Sequence, residues 1–380
     1  MFSADWSYPT QVKFGPGRLK ELGDACRALG LKNPLLITDP AIAALEMTAR
    51  AQQSLEEAGY PARLFAEVRP DPDDRNLEAG LAAFRAGGHD GVVALGGGSA
   101  LDLGKTVAFM ARQTRPVFDF EDIGDWWKRA DAAAILPTIA IPTTAGTGSE
   151  VSRATVITNS GTETKKIIYH PKLLPAVAIL DPELTLGLPA GLTAATGMDA
   201  LTHNIEALCG KYPHPMADGI ALEGARLIKE SLPRVFADGS DVSARGNMLI
   251  GSMMGAVAFQ RGLGAVHALS HPIGTLYHVH HGLINGVLMP FVFAWNRPEI
   301  EDKIGRLAHH LGIIGGFDGF QAWLLDLRVE LGIPPTLSAL GIGRADFRRI
   351  AEMSLSDPTA AVNPRPYTLD GAIAILDAAA

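Results

Sequence analysis

Short apolar runs alternate with amphipathic stretches along the first half of the chain. Residues 34–38 (PLLIT) have the unbroken apolar character of a strand buried on both faces, and the run ends at Asp39. Residues 43–59 show helical periodicity, 62–68 read as a strand, 77–87 as a helix and 91–96 (GVVALG) as a strand again. A further strand ends at Pro142. This alternation predicts βαβ units and a parallel sheet. After DPELTLGLPAGL at 181–192 the strand pattern fades, and helical periodicity covers 194–209, 216–230, 243–259, 266–278, 300–311, 317–331 and a last segment after Leu369. The Gly/Pro-rich seam near 184–192 divides an α/β domain, residues 1–187, from an all-α domain, residues 188–380.

A length of 380 residues exceeds one ordinary core, which agrees with two domains. The net charge of −8, without any basic cluster, argues against nucleic acid or an anionic membrane as partner. No apolar run reaches the length of a membrane span, and the opening MFSADWSYPTQ lacks the charged and apolar regions of a signal peptide. Two cysteines, Cys26 and Cys209, make no disulfide framework and fit a reducing cytoplasm.

Candidate chemistry begins directly after the 91–96 strand, with GGGSALDLGK at 96–105. Its glycines let backbone N–H groups approach an anion, and the following helix offers its positive end to a pyrophosphate. The run is neither GxGxxG nor a P-loop, since Ser99 stands where a P-loop needs glycine. A turn that serves only strand-to-helix packing is the competing reading. Asp102, in the first helical turn, complements the dipole or holds a ligand group. Asp39 has the position to accept hydrogen bonds from a ribose diol and the charge to repel a 2′-phosphate, favouring NAD over NADP; a plain helix cap is the alternative. Thr143, Thr144, Gly146, Thr147, Gly148 and Ser149 form a second polar cluster at a strand end, suited to phosphate or a carboxamide. Lys165 or Lys166 offers a phosphate or ribose contact. The loop DFEDIGDWW at 119–127 either walls a pocket or packs between domains.

The densest chemistry lies between Met198 and Gly282. Asp199 and His203 are four residues apart on one helix face, and His267 and His271 repeat the spacing, with Pro272 ending the regular run. His281 lies fourteen residues beyond His267, roughly 21 Å along a straight helix. Two ligands about 2 Å from one ion therefore require the chain to fold back, which Pro272, Gly274 and Gly282 allow. One carboxylate with three imidazoles suits Fe(II), Zn(II), Co(II) or Ni(II) and poorly suits Mg(II) or Ca(II). The competing reading is a histidine-rich core with satisfied ring nitrogens. Arg261 offers either a substrate carboxylate site or an interface ion pair.

These segments resemble, in order and over nearly the whole chain, the iron-containing (group III) alcohol dehydrogenases. The resemblance rests on GGGSALDLGK, PTTAGTGSE at 142–150, DPELTLGLP at 181–189, GMDALTH at 197–203, GLGAVHALSHPIG at 262–274, HHGLINGVLMP at 280–290 and NPRPYTLDGAIAILDAA near the end. It implies a dinucleotide-binding α/β domain, an all-helical domain and one divalent metal between them, in a dehydroquinate synthase-like architecture. It implies Asp199, His203, His267 and His281 as ligands of the metal, Fe(II) first, and His271 as a histidine near the nicotinamide and candidate proton relay. It further implies Asp39, Gly97, Gly98, Ser99, Thr143, Thr144, Thr147 and Lys165 as cofactor contacts, with Asp102 and Leu184 counted beside them. Asp71, in PDP, departs from the Asn of many members, and the DFEDIGDWW loop is bulky, leaving the substrate open. The implied reaction is reversible hydride transfer between a small primary alcohol, diol or hydroxy acid and NAD, in a homodimer or larger assembly. The rivals are a dehydroquinate synthase-type lyase, which wants a basic phosphate pocket, a metal-independent maleylacetate-type reductase, which the complete ligand set disfavours, and a non-catalytic assembly protein.

Overall fold

The structure is a computed structural model that describes residues 8, 10–162 and 164–380, so the reading of the opening residues falls largely outside it. The chain divides into a sheet unit, Tyr8–Thr144 with Gly148–Leu186, and a helical unit, Gly187–Ala380 with Ala145–Thr147.

In the sheet unit the elements are β1 (Gln11–Phe14), α1 (Leu22–Ala28), β2 (Pro34–Ile37), α2 (Pro40–Ala43), α3 (Glu46–Glu57), β3 (Arg63–Phe65), α4 (Asp74–Ala86), β4 (Gly91–Gly96), α5 (Gly98–Met110), β5 (Thr138–Pro142), β6 (Ala154–Asn159), β7 (Thr164–Tyr169) and β8 (Val177–Leu180). Six strands form one parallel sheet in the order β1-β8-β5-β4-β2-β3. Alternate residues of β2 and β4 enter opposite cores: Leu35, Ile37, Val92 and Ala94 pack with Leu77, Val107 and Phe109, while Leu36, Val93 and Leu95 pack with Leu22 and Leu55. Burial on both faces is why these strands read as continuous apolar runs. The short β1 and β8 escaped the sequence pattern. The helix expected over 43–59 is two pieces, because Leu45 is extended (φ −92°, ψ 153°) and restarts the chain as the N-cap of α3. β6 and β7 form a separate antiparallel hairpin in which Thr158 faces Lys165.

The helical unit contains α6 (Ala190–Cys209), α7 (Pro215–Ala237), α8 (Val242–Ala258), α9 (Ala265–Tyr277), α10 (His281–His310), α11 (Gly316–Glu330), α12 (Phe347–Leu355) and α13 (Leu369–Ala378). Every residue of α6 from Thr193 to Cys209 is buried, so this helix is the unit's centre rather than an amphipathic wall. Its polar side chains therefore need internal partners. Thr202 donates to Met198 O, and Asn204 donates to Ala200 O and Gly251 O. Asp199, His203 and Glu206 remain, three ionisable groups at i, i+4 and i+7 on one face.

Two expectations about this half are corrected. Pro272 does not end its helix, because α9 continues through it to Tyr277. The chain folds back instead at His278, a left-handed residue (φ 54°, ψ 29°), with α10 starting at His281. Histidine is among the few non-glycine types that enter this region with some frequency, and nothing in the local pattern marks it. α10 also runs far ahead of the expected 300–311, carrying Pro290 and Pro298 inside it. Burial of its apolar face outweighs the hydrogen bond each proline removes. No single helix among the described residues is long and apolar enough to cross a membrane.

Candidate active site

The helical unit brings Asp199, His203 and His267 together, their ligand atoms all within 4.8 Å of one another, with His281 beside Asp199. The Nε2 atoms of His203, His267 and His281 lie 3.7, 3.8 and 3.6 Å from Asp199 Oδ1. Donors about 2.0–2.2 Å from a tetrahedral cation stand about 3.3–3.6 Å from one another, so these three separations are those of a small divalent site or slightly wider. Helix α6 supplies Asp199 and His203, α9 supplies His267, and the first residue of α10 supplies His281. Close approach of α10 depends on Gly282, where a Cβ would fall 2.2 Å from Ala195 O and 3.0 Å from Asp199 Cβ.

Each imidazole is held by its other nitrogen. His203 Nδ1 lies 3.2 Å from Gly146 O and His267 Nδ1 lies 2.6 Å from Glu206 Oε2. Ser270 Oγ lies 3.3 Å from His281 Nδ1 and itself donates to His267 O. A carbonyl or carboxylate can only accept, and Ser270 has already given its proton, so all three rings carry Nδ1–H and turn Nε2 toward Asp199. Rings held at Nδ1 with Nε2 turned to a shared carboxylate are arranged as metal-ligating histidines are, rather than as isolated core histidines.

A further sign is Asn285. Its Nδ2 lies 2.8 Å from Asp199 Oδ1, 3.1 Å from His281 Nε2 and 3.4 Å from His267 Nε2, while its buried Oδ1 has no partner among the described residues. Half a turn of the amide brings that oxygen to the donors instead, which only a cation among them would favour. Burial pushes the Asp199 carboxyl up, but the surrounding imidazoles outweigh it and hold the group well below the usual carboxylate range. Burial lowers His203 to about 4. His267 also feels burial pulling it down, yet the Asp199 and Glu206 carboxylates raise it to about 9.

His271, one turn after His267, is not among the converging donors. Its ring stacks on that of His281 with centroids 5.4 Å apart, and its Nδ1 lies 2.6 Å from Asp357 Oδ2. Arg261 is an internal ion pair with Asp218 that also donates to Gly210 O and Tyr212 O, and is not a substrate contact. Glu206, Asn285, Ser270 and Asp357 were not singled out from the sequence. Glu206 alone had a local signal, three residues after His203 on the same face.

In the sheet unit the strand order reverses between β2 and β4: the chain moves outward from β2 to β3, then returns to β4 and on to β5. Ligands of such sheets bind at the carboxyl ends of the strands flanking that switch point. There stand Asp39, after β2, and Gly97, Gly98 and Ser99, after β4. Asp39 Oδ1 caps α2 by accepting from Ala41 and Ile42 N–H, while Oδ2 points toward the glycine turn, 3.6 Å from where a Cβ of Gly96 would sit. Gly97 is the N-cap of α5, and the side chain of Thr144 lies beside it, 3.6 Å from its would-be Cβ. Thr143 N–H donates to Gly96 O, tying the two strand ends together. Thr147 belongs to the short segment that groups with the helical unit.

Two of the expected cofactor contacts are engaged elsewhere. Asp102 accepts from Ser149 Oγ through Oδ1 and from Val156 N–H through Oδ2, so its carboxylate braces α5 to the following segment. Leu184 is buried in the core with Leu36 and Ile179. Lys105 is wholly buried, its ammonium donating to Ser149 O, Ser149 Oγ, Ser152 O and Ala154 O, which removes any P-loop role. On the hairpin, Lys165 pairs with Asp71 at 2.6 Å and Lys166 with Glu121 at 2.9 Å. Asp71 has φ 49°; Pro72 after it disfavours the right-handed helical region, and aspartate tolerates the left-handed one. The DFEDIGDWW loop packs within its own unit: Trp126 stacks on Arg129 and Trp127 meets Tyr169 and His170 edge-on.

A parallel sheet with a glycine turn at its switch point, in one chain with a helical unit carrying an aspartate and three convergent imidazoles, defines the class of nucleotide-using metalloenzymes. Comparison with known proteins narrows the class. The model of iron-containing alcohol dehydrogenase matches residues 9–182, and that of the Fe-containing alcohol dehydrogenase family, C-terminal, matches residues 193–380. The 4-hydroxybutyrate dehydrogenase of Cupriavidus necator is 40% identical over 370 residues, 94% of this chain and 95% of its own. The NAD-dependent methanol dehydrogenase of Bacillus methanolicus is 34% identical over 369 residues, 95% of this chain and 96% of its own. The crystal structure of a 1,3-propanediol oxidoreductase superposes with a TM-score of 0.95 at 37% identity, covering 100% of both chains. The chain belongs to the iron-containing alcohol dehydrogenase family.

Proposed function

We propose that this protein is an NAD-dependent dehydrogenase of a small primary alcohol, diol or hydroxy acid, working reversibly with one divalent cation, Fe(II) before Zn(II), Co(II) or Ni(II). The carrying observation is the convergence of three Nε2 atoms on Asp199 Oδ1, each ring locked through Nδ1. Asp199, His203, His267 and His281 would hold the cation, whose positive charge favours a deprotonated alcohol in one direction and a polarised carbonyl in the other. In oxidation the carbinol carbon gives hydride to nicotinamide C4 and the hydroxyl gives up a proton, leaving aldehyde, NADH and H⁺. The near-attack separation is about 3–3.5 Å.

The protein's own groups do the rest. Gly97, Gly98 and Ser99 receive the pyrophosphate at the start of α5, Asp39 Oδ2 takes the ribose diol, and Thr143, Thr144, Thr147 and Lys165 complete the cofactor contacts. The sheet unit thus chiefly serves the cofactor and the helical unit, which takes in Ala145–Thr147, the metal. His271 takes the alcohol's proton at Nε2, because Asp357 already holds its Nδ1–H. Among the described residues the cations weighed for the lyase reading are engaged: Arg261 by Asp218, and Lys211 over the Tyr212 ring. A reducing cytoplasm is the compartment the two free cysteines, Cys26 and Cys209, would fit. The assembly is a homodimer or larger, an expectation taken from the family resemblance and tested by sedimentation. The deciding experiment is NADH formation from a panel of alcohols, diols and hydroxy acids after loading Fe, Zn, Co or Ni. Undiminished turnover after complete chelation would refute the metal's role.

A further inference from the structure

Resting on the metal-site reading above, we infer that Glu206 is the positioning residue of that site, locking His267 in its ligating tautomer and supplying the second buried negative charge that balances a divalent cation. Glu206 lies in the buried stretch of α6, three residues after His203, and is 4% exposed. Each of its oxygens has its own task. Oε2 lies 2.6 Å from His267 Nδ1, and Oε1 accepts the Val266 N–H at 2.8 Å. The second contact binds an anion to the start of α9, where no side chain of that helix's own N-cap serves. One carboxylate thus holds both the histidine and the helix end that carries it, so neither the ring nor its backbone can turn independently.

Charge supplies the second argument. Among the described residues no Lys or Arg nitrogen forms an ion pair with Glu206; its ion-pair partner is His267 alone. A buried carboxylate with so little compensation is costly unless a positive charge stands nearby. Asp199 and Glu206 together carry two negative charges, and three imidazoles bound through Nε2 are neutral. A divalent ion brings the cluster to zero, whereas without Glu206 the buried site would keep a net positive charge.

Space supplies the third. Gly264 has φ −160°, an extended conformation open to any residue, so backbone strain does not explain the glycine. A Cβ there would fall 2.8 Å from Glu206 Oε1 and 3.0 Å from Asn363 Oδ1. The missing side chain is room for the carboxylate.

The test uses the full chain and cobalt(II) as the probe metal. Glu206→Gln keeps the shape, removes the charge and sets an N–H donor against the Val266 N–H. Its cobalt affinity, measured by competition with a chelator, is expected to fall about 10–100-fold, with a shifted visible d–d spectrum. Glu206→Asp is expected to recover part of both. Wild-type affinity with an unchanged spectrum in E206Q overturns the inference, as does an E206D protein no better than E206Q. Should E206Q not fold, Gly264→Ala, which displaces the carboxylate without removing it, is read by the same two measurements with the same criteria. His203→Ala separates the two levels of the argument. Cobalt lost from H203A but kept by E206Q refutes the role of Glu206 alone; cobalt kept at full affinity by H203A refutes the site itself.

Discussion

The Nδ1 of His271 stands 2.6 Å from Asp357 Oδ2, a residue 86 positions further along the chain. The other oxygen of Asp357 accepts from the N–H and Oγ of Thr359, so the carboxylate is itself fixed at the start of a short helical turn. Burial raises the Asp357 carboxyl, but the His271 ring and the Thr359 contacts outweigh it and hold the group below its ordinary range. A fixed carboxylate fixes the ring and keeps a proton on Nδ1.

If His271 relays the alcohol's proton, Asp357→Asn should lower kcat about 10–100-fold, less than the full effect of about 10²–10⁴ expected of an acid–base group. Metal content and the KM for NAD should stay near wild type. A kcat that does not move assigns Asp357 a purely structural task.

Removing one donor should empty the metal site without disturbing the sheet unit, because the donors all lie on α6, α9 and α10. His267→Ala is expected to lose bound metal and turnover, while NAD still binds. Elemental analysis and cofactor fluorescence titration check the two halves of this statement separately.

Asp39 caps α2 with one oxygen and directs the other toward the glycine turn. Serine preserves the cap but not the charge. In Asp39→Ser the ratio of kcat/KM for NAD over NADP should fall by about tenfold or more, since nothing then repels the 2′-phosphate. An unchanged ratio would place the ribose elsewhere.

Glu150 is fully buried, and burial lifts its carboxyl from 4.5 to about 7 against the opposing backbone hydrogen bond and the charge of Lys105. The folded protein therefore holds this proton more tightly than the unfolded chain. Its contribution to stability is complete below about pH 4.5 and fades as pH rises through about 7, at most about 3 kcal/mol. Glu150→Gln should abolish that decline. Melting temperatures at pH 5 and pH 8 should differ less in the variant than in the wild type; an equal difference in both excludes Glu150 as the titrating group.

Local geometry made part of this protein legible in advance. A helix places i and i+4 on one face whatever surrounds it, so Asp199 and His203 could be paired from their spacing alone. A strand buried on both faces must be apolar throughout, so β2 and β4 showed themselves, and with them the places of Asp39 and the glycine turn. The amphipathic stretch that ends at Lys165 and Lys166 also read as hairpin-like, as β6 and β7 are, whereas the left-handed His278 and the proline-bearing start of α10 had no comparable local signature.

What the chain alone determined is thus the set of donors and the periodicity that presents them; what the tertiary structure decided is which distant groups meet. Gly146 O reaches His203 across 57 positions and Glu206 reaches His267 across 61, and no pattern within one element encodes either meeting. Packing also reassigned Asp102 to bracing and Leu184 to the core. The reason is physical: helix and strand periods are properties of the backbone, whereas a buried polar group takes whichever partner the fold brings within about 3 Å.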